Sequence, residues 1–387
     1  MYAGAAALAA AGRMCDGVAA KSAAIETGGH LPADVVADLR ASGVPAMWLP
    51  AELGGAEAAP AEVVDAIAAL AAADGSTGWC AAVAVGTNAL AAYLPADGAR
   101  SIFTSPATLT GGSFNTAGRA TVAEDGSLCL TGRWGFGSAV THSDWMSGAC
   151  LLVDGEGELR TSEDGRPEAR LAFFPASEAT IHPTWHTSGL QGTASHDYEV
   201  EALDIPACYA MGFAFDPWPS GPMWRMPPMP LFFAPLAAVS LGIARGAIAD
   251  LVVLAQVKTP YRSARGLAER DVVQSMVARA EAATRSARAF LVETMVGLAA
   301  AAVDGDDISL TDRAVARLAV VNAARAGRDA VNLCVEAAGT TALFVDHPLQ
   351  RRHRDVHALN AHVVLAFPGL ETVGRVFLGL EPDTPLL

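Results

Sequence analysis

The sequence predicts an α+β fold in three consecutive parts, and three changes of pattern along the chain predict it. Alanine-rich helical spacing fills residues 1–105, strand-like alternation fills 106–215, and long amphipathic helices dominate 216–387. In the first part Val36, Val63, Val64, Ile67 and Leu70 recur at helical spacing, with breaks at Gly28-Gly29, Gly54-Gly55 and Pro95. In the second, SLCLTGRW, SGACLLV, RLAFFP and HDYEVEALDIP read as short strands, with turns at Asp125-Gly126 and Asp154-Gly155.

The proline-rich run from Phe213 to Pro235 predicts an irregular apolar loop, because proline continues neither a helix nor a central strand. Its Trp218, Trp224 and Met226, with Met223 and Met229, are expected to cover a pocket and touch a substrate; a packed surface linker is the plainer alternative. Helical spacing then runs from Leu236 to about Val303 and from Ser309 to Ala338, and such long helices make a bundle.

With 387 residues, 52% of them hydrophobic and 17% charged, the chain can bury a large core and is not disordered. A net charge of -15 repels phosphate backbones and anionic lipid, so no nucleic-acid partner and no membrane partner are expected. The six cysteines are scattered without a framework spacing, which points to thiols in a reducing, cytoplasmic setting. Arg13, Asp16 and Lys21 interrupt the alanine-rich start, which reads as a helix rather than a leader. The sequence is read as having no uncharged run long enough to span a bilayer.

The segment His347–Val363 gathers four of the nine histidines beside Arg351, Arg352, Arg354 and Asp355. On a helix His353 and His357 share one face, while Asp355 and His362 share another. It reads either as the edge of an active site or as a polar helix end. A His-x-x-x-His pair also suits a metal, but no third ligand follows at a recognised spacing, so no metal is expected. Gly-x-Gly-x-x-Gly, Walker and Gly-x-Ser-x-Gly motifs are absent.

The three-part order, with GRWGFGSAVTHSDW (132–145), WHTSGLQGTASHDYEVEALDIP (185–206) and PLQRRHRD (348–355), resembles the acyl-CoA dehydrogenase fold. More narrowly it resembles the oxygenase components of two-component flavin-dependent monooxygenases, of the p-hydroxyphenylacetate hydroxylase kind. The resemblance implies a central β-barrel-like domain and a C-terminal four-helix bundle. It also implies reduced FMN or FAD, dioxygen, a separate flavin reductase and a homotetramer. The dehydrogenases' catalytic glutamate falls here on Val363, which cannot take a proton, and APLAAVSLG offers no carboxylate at the other position used.

In the oxygenase branch the matching residues acquire roles. Reduced flavin and oxygen form a C4a-hydroperoxide that oxidises a small aromatic or apolar substrate, and His362 is the expected base, with an ordinary imidazole pKa near ~6.5. Ser138 is expected beside flavin N5, where a hydroxyl slows loss of hydrogen peroxide; Phe136 is expected against the flavin ring. Trp145 is expected in the core. Arg262 and Gln274 are expected at the flavin phosphate. Glu336, in EAAGTTALF, replaces the glutamine of a dehydrogenase motif for the adenosine of FAD. Oxidation at nitrogen or sulfur, or an acyl-CoA dehydrogenase with a displaced base, remain the alternative readings.

Overall fold

The computed structural model describes residues 3–163, 165–382 and 384. Five helices come first: α1 (Ala3–Gly28), α2 (Ala33–Ala41), α3 (Pro60–Ala73), α4 (Gly75–Ala89) and α5 (Ala96–Ile102). The buried positions of α3 are Val63, Val64, Ala66, Ile67, Leu70 and Ala71, the apolar stripe of an amphipathic helix. Helix α4 is buried almost throughout, and Asp74 caps it by accepting from the Thr77 amide at 2.8 Å.

Seven strands form one sheet: β1 (Thr110–Val122), β2 (Leu128–Gly137), β3 (Trp145–Val153), β4 (Ala169–Pro175), β5 (Thr180–His182), β6 (His196–Ile205) and β7 (Ala210–Met211). Their order is β5-β6-β2-β1-β3-β4-β7, and β1 with β3 is the parallel pair. The sheet's own core is centred on Trp134, fully buried and stacked on Tyr198 at 5.4 Å. A Cβ on Gly148 would sit 2.5 Å from the Trp134 ring, so that glycine is the space the indole needs. Trp145 is half-buried and meets Tyr209 edge-on at 5.2 Å.

The C-terminal helices are α6 (Pro228–Val257), α7 (Asp271–Asp304), α8 (Leu310–Ala338), α9 (Pro348–Asn360) and α10 (Pro368–Phe377). α6 packs against α8, α3 and α4, and α9 against α6 and α8, which ties the bundle to the N-terminal helices.

Two sequence expectations fail here for reasons local to proline. The loop expected to reach Pro235 ends at Pro227, and the helix opens at Pro228. Pro228 and Pro230 occupy its first turn, where no amide donor is needed, and Pro235 is accommodated inside it. Conversely, the helix expected to run from Leu236 to Val303 breaks at Val257, because Pro260 disfavours helical backbone at the residue before it. A third expectation is also corrected. The run Met226–Ala244 carries no charge, and α6 and α7 are each long and apolar enough to cross a membrane. The apolar window of α6 is 72% buried inside the fold, as in a core helix, and that of α7 only 28%.

Candidate active site

His362 lies in the turn between α9 and α10, with its ring edge-on to Trp79 of α4 at 5.3 Å. Burial, with the nearby Arg317 cation adding to it, lowers its pKa to about 4. The imidazole is therefore neutral at pH 7, well below the ordinary range expected of it. The Val364 amide donates to its Nδ1 at 3.3 Å, which favours the tautomer protonated at Nε2. That bond is long, so exchange to the tautomer with Nε2 free to accept forfeits little.

Trp79 also connects His362 to Ser138. Its indole N–H donates to Ser138 Oγ at 3.0 Å, and Ser138 lies 2.8 Å from Ser195 Oγ. Ser195 is 2.7 Å from Thr193 Oγ1, which donates to the Leu190 carbonyl at 2.8 Å. The direction of this chain follows from counting hydrogens. Thr193 spends its hydrogen on Leu190, so Ser195 donates to Thr193 and Ser138 donates to Ser195. Ser138 is left with one accepting lone pair. Backbone strain surrounds it: Phe136, Ala139, Leu190 and Ala194 all hold positive φ, between 46° and 64°.

The loop carrying Leu190 is fixed from α9. Asp355 is buried and accepts from the Leu190 amide at 2.7 Å. Burial raises its pKa to about 7 even though that bond opposes the rise. Arg354 donates to the Ser188 carbonyl at 2.5 Å and pairs with Glu26; Arg352 pairs with Asp250 and donates to the Ala72 carbonyl at 2.8 Å. Thus the basic run of α9 clamps α1, α3, α6 and the 187–195 loop together. The His353 and His357 rings lie 4.5 Å apart and tilted to one another on another face, with His357 bonded to Asn332. Among the described residues no three His, Cys, Asp or Glu side chains are grouped to hold a metal.

Phe136 is 74% exposed and meets Trp185 edge-on at 6.0 Å. Beside them is a cavity of about 500 Å³ lined by Thr27, His30, Thr141, Trp185, Gln191 and His196. Trp218, Trp224 and Met226 do not line this cavity and are held by the N-terminal part of the chain and the main core. The Trp224 N–H donates to Glu57 at 2.8 Å, the Trp218 N–H to the Ala91 carbonyl at 2.8 Å, and Met226 is buried in the main core. Arg262 and Gln274 are both exposed, in the α6–α7 connection and the first turn of α7; Gln274 donates to the Ala268 carbonyl at 3.0 Å. Arg262 stands over the Tyr261 ring, and neither residue is hydrogen-bonded to Ser138 or His362.

Sequence reasoning missed Trp79 and Arg317. Trp79 left no signal, since its partner is 59 positions away. Arg317 did: it shares the buried stripe of α8 with Ala314, Ala324 and Val321, where a cation is out of place.

The sequence from residue 234 to 367 matches the family model described as acyl-CoA dehydrogenase, C-terminal domain. Over 354 residues the chain is 31% identical to indole-3-acetate monooxygenase of Pseudomonas putida, covering 91% of this chain and 88% of the relative. The chain belongs to the oxygenase components of two-component flavin-dependent monooxygenases. It is also 28% identical to the oxygenase component of an FADH(2)-dependent resorcinol hydroxylase of Rhizobium sp. strain MTP-10005, covering 91% and 89% of the two chains. The HsaA monooxygenase from M. tuberculosis superposes with a TM-score of 0.88 at 25% identity, covering 98% and 99%. XiaF from Streptomyces sp., in complex with FADH2 and glycerol, shares the fold at a TM-score of 0.90, 24% identity, and 99% and 98% coverage.

The oxygenase accordingly uses reduced flavin and dioxygen, with reduced flavin supplied by a separate reductase. Bound reduced flavin supplies the electrons that activate oxygen. The residues around Ser138 fit that group: N5 of a reduced flavin carries a hydrogen, and Ser138 has an acceptor to meet it. Phe136 offers an uncovered ring face next to it. Replacing Ser138 with alanine removes the acceptor and strands the Trp79 N–H. The expected result is about tenfold more hydrogen peroxide released per substrate oxidised, a loss on the order of one hydrogen bond. A peroxide yield equal to the parent's would show that Ser138 does not touch the flavin.

Proposed function

We propose that this oxygenase hydroxylates a small aromatic substrate, with His362 handling the substrate proton and Ser138 holding the flavin. The observation that carries the reading is the Trp79 indole, which contacts His362 with one edge and Ser138 with its N–H. One rigid group thereby sets proton handling and cofactor contact in a fixed relation. The dehydrogenase base position holds Val363, which is 69% exposed, and the buried Asp355 and Asp74 are committed to Leu190 and Thr77. Relatives are named for indole-3-acetate and for resorcinol, and both support an aromatic substrate here.

The finer assignments of the proposal are these. Reduced FMN is the preferred flavin and reduced FAD the alternative, because Glu336 stands where a glutamine serves adenosine. Arg262 and Gln274 bind the phosphate end. The active form is a cytoplasmic homotetramer, supported by six free thiols and by the exposed Leu343, Phe344 and Val345 and outward valines of α7. The test is oxidation of indole-3-acetate and resorcinol with reductase, NADH and either flavin. A product one oxygen atom heavier, formed only with oxygen and reduced flavin, is expected. Peroxide alone with every aromatic tried, together with flavin bleaching by an acyl-CoA, would defeat it.

A further inference from the structure

Strand β1 bulges as it leaves the candidate site. Its pairing with β3 runs evenly from Thr110↔Trp145 to Ser113↔Gly148 and resumes at Gly118↔Cys150, five residues further along β1 but only two along β3. The surplus residues are pushed out of the ladder, and such a bulge re-aims the side chains it carries. Phe114 is the first of them. It is 42% exposed, and its ring lies 5.6 Å from Phe232 of α6 and 6.5 Å from Phe213. Phe213 and Phe215 belong to the loop after β7, and the Phe215 ring meets Phe213, Phe232 and Tyr93 at 6.0, 6.3 and 5.4 Å. Phe215 holds φ at 56°, a strained conformation for a bulky side chain that persists only where its surroundings fix it. Four phenylalanines from three parts of the chain thus make one aromatic face. With Phe213 also 37% exposed, that face is open, unlike the sealed core around Trp134.

The two elements that hold Ser138 both lead to this face. On β1, a Cβ on Gly111 would lie 2.9 Å from the Ser138 carbonyl, and Phe114 follows three residues on, about 10 Å along the strand. On α4, Trp79 donates to Ser138, and Gly86 follows on the same face of the helix, about 10 Å further along. A Cβ on Gly86 would lie 3.7 Å from the Phe232 Cα.

We propose that this face seats the part of the substrate that is not oxidised, and that Phe114 and Phe213 select a substrate of two fused rings over one of a single ring. The inference rests on the hydroxylase reading above and deepens it. With its reacting carbon beside His362 and Ser138, a one-ring substrate ends short of a face about 10 Å away, whereas a second fused ring reaches it. The chemistry of the face suits a ring. Phenylalanine rings set at different tilts take a flat apolar group in edge-to-face and offset contacts, and they offer no donor or acceptor to choose between polar substituents. Size, not charge, is what the face reads.

The test measures anaerobic binding of 2-naphthol and indole against phenol and resorcinol by calorimetry, and kcat and KM for the same four with reductase, NADH and flavin. The parent is expected to bind the two-ring compounds about tenfold more tightly, the worth of one aromatic contact. Phe114→Ala and Phe213→Ala should each lose about tenfold in affinity for the two-ring compounds and change the one-ring compounds less than about 3-fold. Both should raise KM more than they lower kcat. Phe213→Leu should keep part of the preference, and Phe377→Ala, which removes an exposed ring of α10, should change nothing. Should an alanine variant fail to fold, the parent and Phe213→Leu decide the matter. The inference is overturned if the parent does not prefer two rings, or if the alanine variants weaken one- and two-ring compounds alike. It is equally overturned if they alter the oligomeric state and leave the preference intact, which would make the face a subunit contact. Oxidation of phenol and 2-naphthol with equal kcat/KM would sink this inference and leave the hydroxylase reading standing. A two-ring preference lost in the variants, with no aromatic oxidised, would do the reverse.

Discussion

His362→Ala is expected to lower substrate oxidation by about 10²- to 10⁴-fold, the range of a lost proton-transfer group. Flavin binding should change little, because the Ser138 chain and Phe136 do not use the imidazole. Uncoupled peroxide release should therefore continue while product formation stops. The pH profile separates this role from a structural one. With a pKa of about 4, His362 is neutral from pH 6 to 9, and no inflection from it is expected there; activity should fall as pH drops toward 4. The stability sign runs the same way. Its folded pKa lies below the unfolded value, so the unfolded chain takes the proton first and stability is lost as pH falls from about 6.5 toward 4. The alanine variant should lack that sensitivity. Stopped-flow product analysis of parent and variant decides the catalytic part: equal product yields would remove His362 from the chemistry.

Asp355→Ala should destabilise the fold by about 2–4 kcal/mol, because the Leu190 amide loses its acceptor inside the protein and Arg351 and Arg354 lose a neighbouring charge. The loop from 187 to 195 should loosen with it, carrying Thr193 and Ser195 away from Ser138 and raising peroxide leak. Asp355→Asn keeps an acceptor for the amide and should cost less than about 1 kcal/mol. The sign with pH differs from that of His362. A carboxyl whose folded pKa is raised to about 7 contributes stability at low pH that is lost as pH rises through 7. Relative to the parent, Asp355→Asn should therefore fare better at pH 8.5 than at pH 5. Denaturant unfolding at the two values checks this; an asparagine variant as unstable as the alanine one at both would refute the account.

How much of this was legible follows from where each signal resides. The helical, β and helical order showed in composition because each part carries its own hydrophobic period. The start of α6 did not, since proline at a helix N-terminus and proline in a loop look alike without the chain around them. His362 and Ser138 stood out through local motifs. Their joining group, Trp79, is brought in by the packing of α4 against the sheet and against α9, which no window of sequence reports. Arg317 was readable from the buried stripe of α8, but a helix with many arginines hid the one that faces inward.

The one-way run of hydroxyl hydrogens from Ser138 to Leu190 carries a last consequence. A reduced flavin arrives with a hydrogen on N5, whereas an oxidised one leaves with a bare nitrogen there. On the proposed placement of Ser138 at N5, its remaining lone pair matches the first and is mismatched to the second. An oxygenase that borrows its cofactor for one turnover gains from such a preference, which on that placement favours departure of the spent molecule over its retention.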